Sequence, residues 1–154
     1  TKGRTDAVKN TLNTSGKTIH YMFEDHADWD QTRAEELFAI FLKTNQKCNA
    51  VICNNDTMAM GALEAVTAAD SDCVIVGTDG TSEAVESIKA GELDATVDFF
   101  PNIMSQIAVE MQVRKLAGED IPKVVYAPQS IRDASNAEAS FEEIFGYEYA
   151  PVFE

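Results

Sequence analysis

No run of apolar residues in this chain approaches the ~18–20 that a membrane span requires, so no transmembrane helix is expected. Positive charge is scarce: 12 Lys and Arg stand against 26 Asp and Glu in 154 residues, a formal charge of −14. Partners that are held by neutralising phosphate, such as nucleic acid or an anionic bilayer, are excluded by that balance. Cysteine is scarce and odd in number, with Cys48, Cys53 and Cys73 in no C-x-x-C spacing. That count argues against a fully paired disulfide framework without fixing the compartment, and Cys53 and Cys73 lie in apolar runs as small buried thiols do. A secretory leader is not visible, and the opening Thr1-Lys2-Gly3-Arg4 reads as the middle of something longer.

The signatures of catalysis are also missing. The sequence holds no G-x-S-x-G elbow, no G-x-x-x-x-G-K-[ST] loop, no H-E-x-x-H and no G-x-G-x-x-G opening a helix. His20 and His26 keep no metal-ligand spacing with each other or with carboxylates, and the D-x-[DN]-x-[DN]-G calcium loop does not occur. No cofactor or metal is therefore expected, and no enzyme. Strand-end carboxylates such as Asp79 and Asp98 could serve as acid and base, but no activated nucleophile accompanies them.

What is present is a repeated alternation of elements. The length suits one compact domain. Residues 4–14 read as a helix stopped by Asn13-Thr14-Ser15-Gly16, and Thr18–Phe23 as a short strand. From Trp29 to Asn45, apolar residues at Ala34, Leu37, Phe38, Phe41 and Leu42 mark one face of a helix. Ala50–Cys53 is a continuous apolar strand, after which Asp56 as N-cap opens a helix through Ala69. Val74–Val76 is the next strand, followed by a helix from Ser82 to Gly91, a strand at Ala95–Val97, a helix from Pro101 to Leu116 and a fifth strand at Lys123–Tyr126. The run Glu138–Glu148 reads as an acidic amphipathic tail. Continuous rather than alternating apolar strands imply burial on both faces, hence an α/β fold: a parallel sheet with helices on each side.

Open parallel sheets present ligands to the carboxyl ends of their strands. Those ends are polar here: Glu24, Asp25, Asp28 and Trp29 after the first strand, Asn54-Asn55-Asp56 after the second, and Thr78-Asp79 after the third. The fourth ends in Asp98-Phe99-Phe100-Pro101. Asn55 and Asp56 read equally as turn and cap residues, Asp79-Gly80 as a plain turn, and Trp29 as a core or staple residue. As a set, though, acceptor carboxylates, amides that donate and accept, an arginine fork and an indole face suit a neutral polyol.

The segments V-I-C-N-N-D-T-M-A-M-G-A-L-E-A-V (51–66), V-I-V-G-T-D-G-T-S-E-A (74–84) and I-K-A-G-E-L-D-A-T-V (88–97) resemble the type I periplasmic sugar-binding proteins, most closely the galactose/glucose- and ribose-binding branch. The lactose-repressor-type regulators share that fold. The resemblance covers about residues 1–135. It implies an extracytoplasmic, lipid-anchored solute-binding protein that captures a hexose or pentose between two closing lobes and hands it to an ABC permease. A ligand-sensing domain of a sugar-responsive regulator or membrane receptor is the alternative use of the same fold.

The same resemblance implies that this chain is the C-terminal portion, lacking the N-terminal lobe and its own first strand. Residues 1–100 correspond to the sugar-binding lobe, 101–127 to a helix and strand that pack on the N-terminal lobe, and 128–154 to a hinge return and acidic tail. It places sugar contacts at Arg4 (in G-R-T-D-A-V-K-N), Trp29 (in A-D-W-D), Asn55 (in the N-D pair) and Asp79 (in V-G-x-D). Phe99 stands where the family carries a hinge Asn or Gln, so a ligand hydroxyl facing it would lose a partner.

Overall fold

The computed structural model describes residues 2–44 and 47–151, and the chain divides into two compact units, Thr1–Thr78 and Asp79–Glu154. The fold is α/β, as the alternation of elements required.

In the first unit, α1 (Lys2–Thr14) precedes α2 (Gln31–Leu42), β1 (Ala50–Ile52), α3 (Asp56–Ala68) and β2 (Val74–Asp79), whose last residue opens the second unit. β1 and β2 pair in parallel with Ala50 opposite Val74 and Ile52 opposite Val76, and Cys53 N extends the ladder by donating to Val76 O at 2.8 Å. Helix α2 starts where Asp30, in extended conformation, accepts a hydrogen bond from Arg33 N, and buries Ala34, Phe38 and Phe41. The small-residue face of α3 (Ala59, Ala62, Ala65) packs closely in this unit, and a Cβ on Gly61 would lie 2.1 Å from the backbone oxygen of Gln31. Glycine is thus what permits α2 and α3 to approach backbone to backbone. Phe23, Phe38 and Phe41 form a second cluster, with ring centroids 5.1 to 6.1 Å apart.

Three expectations are corrected here. Thr18–Phe23 is not a strand. This segment and β1 both line a pocket of about 600 Å³, together with Val8, Leu12 and Leu37, and among the described residues no backbone hydrogen bond ties the segment to a strand. Side chains hold the segment instead: Tyr21 Oη donates to Asn13 Oδ1 at 2.9 Å, Lys9 pairs with Glu24, and Phe23 stacks on Phe41. The N-cap of α3 is Asn55, not Asp56: Asn55 Oδ1 accepts from Met58 N at 2.9 Å, while Asp56 occupies the first helical turn with no exposed surface. An acidic side chain there faces the positive end of the helix dipole. Third, β2 runs three residues beyond Val76, to Asp79. The expected end of the α2 helix at Asn45 falls outside the described residues.

The second unit contains α4 (Ser82–Ala90), β3 (Ala95–Asp98), α5 (Pro101–Leu116), β4 (Ser130–Asp133) and α6 (Phe141–Phe145). Thr81 caps α4 and Gly91, at φ 76°, closes it in the left-handed conformation that glycine tolerates. Helix α5 spans Pro101–Leu116, as the sequence predicts, with Pro101 at its first position, where a missing N–H costs nothing.

The strand expected at Lys123–Tyr126 does not form. The strand paired with β3 is β4, antiparallel, with Asp98 opposite Ser130 and Thr96 opposite Arg132. Val124, Val125 and Tyr126 are exposed, Tyr126 by 88%, so that apolar run has neither ladder nor cover. The acidic tail is ordered as α6, opened by a reciprocal Ser140–Glu143 capping box. Its Phe141 and Phe145 pack edge-on against Phe100, with centroids 5.2 and 5.4 Å away.

Candidate functional site

At the carboxyl end of β1 the chain turns sharply through Cys53-Asn54-Asn55. Arg4, on the first turn of α1, donates from Nη1 to the carbonyl oxygen of Asn54, and Asn54 Nδ2 donates to Thr5 Oγ1 at 3.1 Å. The start of α1 is thereby fastened to the turn that begins α3, and Arg4 and Asn55 are brought to one edge of the first unit. Because Asn55 caps α3 through Oδ1, both the turn and the cap reading of this residue hold. Thr78 Oγ1 reaches Cys53 O at 3.4 Å, joining the carboxyl ends of β1 and β2.

Burial sets the ionisation of Cys53, beneath this edge. Cys53 is pushed up to about 12, chiefly by desolvation and secondarily by the Asp56 carboxylate, so it remains a neutral thiol. Gly77 lets that carboxylate approach β2, since a Cβ there would lie 2.2 Å from Asp56 Oδ1.

Trp29 is placed on the loop that leads into α2. It is 48% exposed, which removes it from the core, and it follows Asp28 in a pair of positive φ values, 52° and 68°. A bulky residue is rare in that region, and such conformations persist only where the surroundings enforce them. The enforcing contacts come from Arg33, whose Nε donates to His26 O at 3.0 Å and pairs with Asp28 at 3.6 Å, and from Asp30 N, which donates to Ala27 O at 2.9 Å.

In the second unit, Asp79 and Phe99 are neighbours: Phe99 N donates to Asp79 O at 3.4 Å. Both are half-buried, and Asp79 adopts φ 132°, an unusual backbone for a residue with a side chain. Gly80 follows at φ 76° and would place a Cβ 2.2 Å from Asp98 Oδ1, so the Asp79–Gly80 turn is built around the Asp98 carboxylate.

Sequence reasoning missed the group that anchors this turn. Asp98 is 4% exposed; its Oδ2 accepts from Arg132 Nε at 3.0 Å and its Oδ1 from Phe100 N at 2.6 Å. Arg132 also donates from Nη1 to Asn136 O at 3.1 Å and to Ala139 O, and its guanidinium lies 5.1 Å from the Phe100 ring centroid. The signal was an arginine and an aspartate falling on one face of an antiparallel pair, which required the register of β3 on β4 and hence β4 itself. A carboxylate engaged on both oxygens is committed to structure, which accounts for Asp98 without any acid–base role. Among the described residues no group of three or more His, Cys, Asp or Glu could hold a metal ion, and no helix is long and apolar enough to cross a membrane.

The geometry can be compared with known proteins. A ribose import binding protein of Bacillus subtilis is 32% identical over 116 residues, which cover 75% of this chain and 38% of that protein. The D-allose-binding periplasmic protein of Escherichia coli is 33% identical over 123 residues, covering 78% and 38%. The crystal structure of a Caulobacter myo-inositol binding protein with myo-inositol bound matches with a TM-score of 0.81 at 28% identity, over 90% of this chain and 49% of that one. The chain thus spans less than half the length of these relatives. Residues 1–120 match the family described as periplasmic binding protein domain, and this chain belongs to that family, among relatives that bind sugars.

Proposed function

We propose that this chain is the ligand-capturing portion of an extracytoplasmic solute-binding protein that takes a monosaccharide, a hexose or pentose, for an ABC-type importer. The observation that carries the reading is the chemistry at the strand ends. Arg4 is fastened through Asn54 O to the turn that carries Asn55, Asp79 is tied through its backbone to Phe99, and the relatives are named for ribose and D-allose.

In this reading the Arg4 guanidinium donates to ring or hydroxyl oxygens, and Asn55 offers its Nδ2 amide. The Asp79 carboxylate accepts from hydroxyls. Trp29 stacks its exposed indole on the apolar C–H face of the sugar, and Phe99 supplies an apolar wall where a hydroxyl would find no partner. No bond is made or broken. Contacts that exist only in the closed state shift the protein towards it, and the closed surface is what a permease reads.

Residues 101–127 are assigned to docking on a second lobe of the same protein. In support, α5 exposes Met104, Val109, Val113 and Leu116, and Val124 and Tyr126 follow, an apolar set that water alone does not stabilise. A lipid anchor outside this segment would hold the protein at the cell surface.

The test is isothermal titration of the full-length protein with a panel of pentoses, hexoses and inositols. One or two saturable ligands are expected. Asp79→Ala should weaken binding by about 10- to 100-fold, since a charge-assisted hydrogen bond contributes ~1.5–3 kcal/mol. Folded protein that binds none of the panel, or an unchanged Kd in Asp79→Ala and Arg4→Ala alike, overturns the reading.

A further inference from the structure

Two of the three cysteines meet at the end of the first unit remote from the strand carboxyl ends. Cys48 lies two residues before β1 and Cys73 immediately before β2; a bend at Asn49 separates Cys48 from the strand, and Val74 N donates to Asn49 O at 3.0 Å. Cys73 Sγ lies 3.1 Å from Cys48 Sγ and donates towards it, while the Cys48 thiol donates to Ala50 O at 3.2 Å. Cys73 is buried and Cys48 is half-buried. The sequence hid this pairing, because 25 positions separate the two and only the parallel register of β1 on β2 joins them.

We propose that Cys48 and Cys73 are a disulfide-forming pair, an oxidation site that staples the amino-terminal ends of β1 and β2 when the protein meets a disulfide-bearing oxidant. The more accessible Cys48 thiolate attacks a sulfur of the oxidant's disulfide, expelling one thiolate and forming a mixed disulfide. The Cys73 thiolate then attacks Cys48 Sγ, the S–S bond closes, and the oxidant leaves as its second thiol. Two protein thiols lose their protons, and two electrons reduce the oxidant's disulfide to a dithiol or two monothiols.

Cys53 does not compete. It sits at the opposite end of β1, and burial holds it as an unreactive thiol. The staple ties a loop that includes all of β1 and α3, so it restricts the unfolded chain most where the first unit is built. It lies at the other strand ends from Asn54, Asn55 and Thr78, so ligand binding should be the same in both redox states.

The experiment treats the folded full-length protein with oxidised glutathione or reduced dithiothreitol, quenches with acid, denatures, and counts maleimide-reactive thiols by mass within residues 48–73. Three tags are expected on the reduced segment and one, on Cys53, after oxidation. Cys53→Ser should still lose both remaining tags on oxidation, Cys48→Ser should keep two, and Cys73→Ser should trap glutathione on Cys48 as the unresolved mixed disulfide. On non-reducing gels the oxidised protein should stay monomeric and resist protease in this segment several-fold longer. Three tags after oxidation, a bond that includes Cys53, or disulfide-linked dimers would each overturn the proposal. None of these outcomes depends on which sugar is bound, so the sugar reading stands or falls separately.

Discussion

Replacing Arg132 with methionine removes one half of a buried ion pair and leaves the other half in place. Asp98 would retain only the Phe100 N–H, in a site where its side chain is 6% exposed. Water cannot reach the carboxylate to replace the lost guanidinium, and breaking a buried pair in this way typically costs ~3–5 kcal/mol. The same change removes the donors to Asn136 O and Ala139 O, each ~1 kcal/mol. The stacking over Phe100, against which α6 packs, goes with them.

Asp98→Leu is the milder change, because the stranded guanidinium keeps its two carbonyl acceptors and the Phe100 face. With an m-value of ~2 kcal/mol per M, the Arg132→Met loss of about 5–7 kcal/mol appears as a urea midpoint lowered by about 2.5–3.5 M at unchanged slope. The double variant Asp98→Leu/Arg132→Met strands no charge and should recover all but ~2–3 kcal/mol. The cycle then yields a coupling of about 3 kcal/mol or more. A midpoint shift below about 0.5 M for Arg132→Met, or losses that simply add in the double variant, would show that the pair does not organise this turn.

Other outcomes follow from the same geometry. Gly61→Ala drives a methyl to 2.1 Å from the Gln31 backbone oxygen, so α2 and α3 must separate; a loss of about 1–3 kcal/mol in urea unfolding is expected, and a neutral result would refute the close approach. Tyr149 donates to Glu110 Oε2 at 2.7 Å, and desolvation together with that carboxylate holds its hydroxyl up at about 12. Because the folded value exceeds the ordinary 10, the contact stabilises fully below pH 10 and is lost as pH rises through about 12. Glu110→Gln should bring the tyrosinate absorbance transition back towards 10, and an unmoved transition would assign the shift to desolvation alone.

The amino-acid sequence by itself determined which segments form α1 to α5 and which polar residues end up at turns. The α5 limits follow from Pro101 and Leu116-Ala117-Gly118, those of α4 from Thr81 and Gly91, and the turn after β1 from Asn54-Asn55, because caps, φ restrictions and one-sided periodicity act within a few residues. The family resemblance was legible for the same reason, being carried by short contiguous motifs.

What depended on partners distant in the chain was not legible. Thr18–Phe23 and Lys123–Tyr126 have strand-like composition, but a strand exists only where another backbone lies alongside, and β4 took the place beside β3. Trp29 stands outside the core because Arg33 clamps its loop, and Asn55 displaced Asp56 as the cap because the Asp56 side chain is buried against Gly77. The Asp98–Arg132 pair and the Cys48–Cys73 contact are both products of register between strands, 34 and 25 positions apart. Register is a property of two segments held together by the whole fold, so only the tertiary structure could decide it.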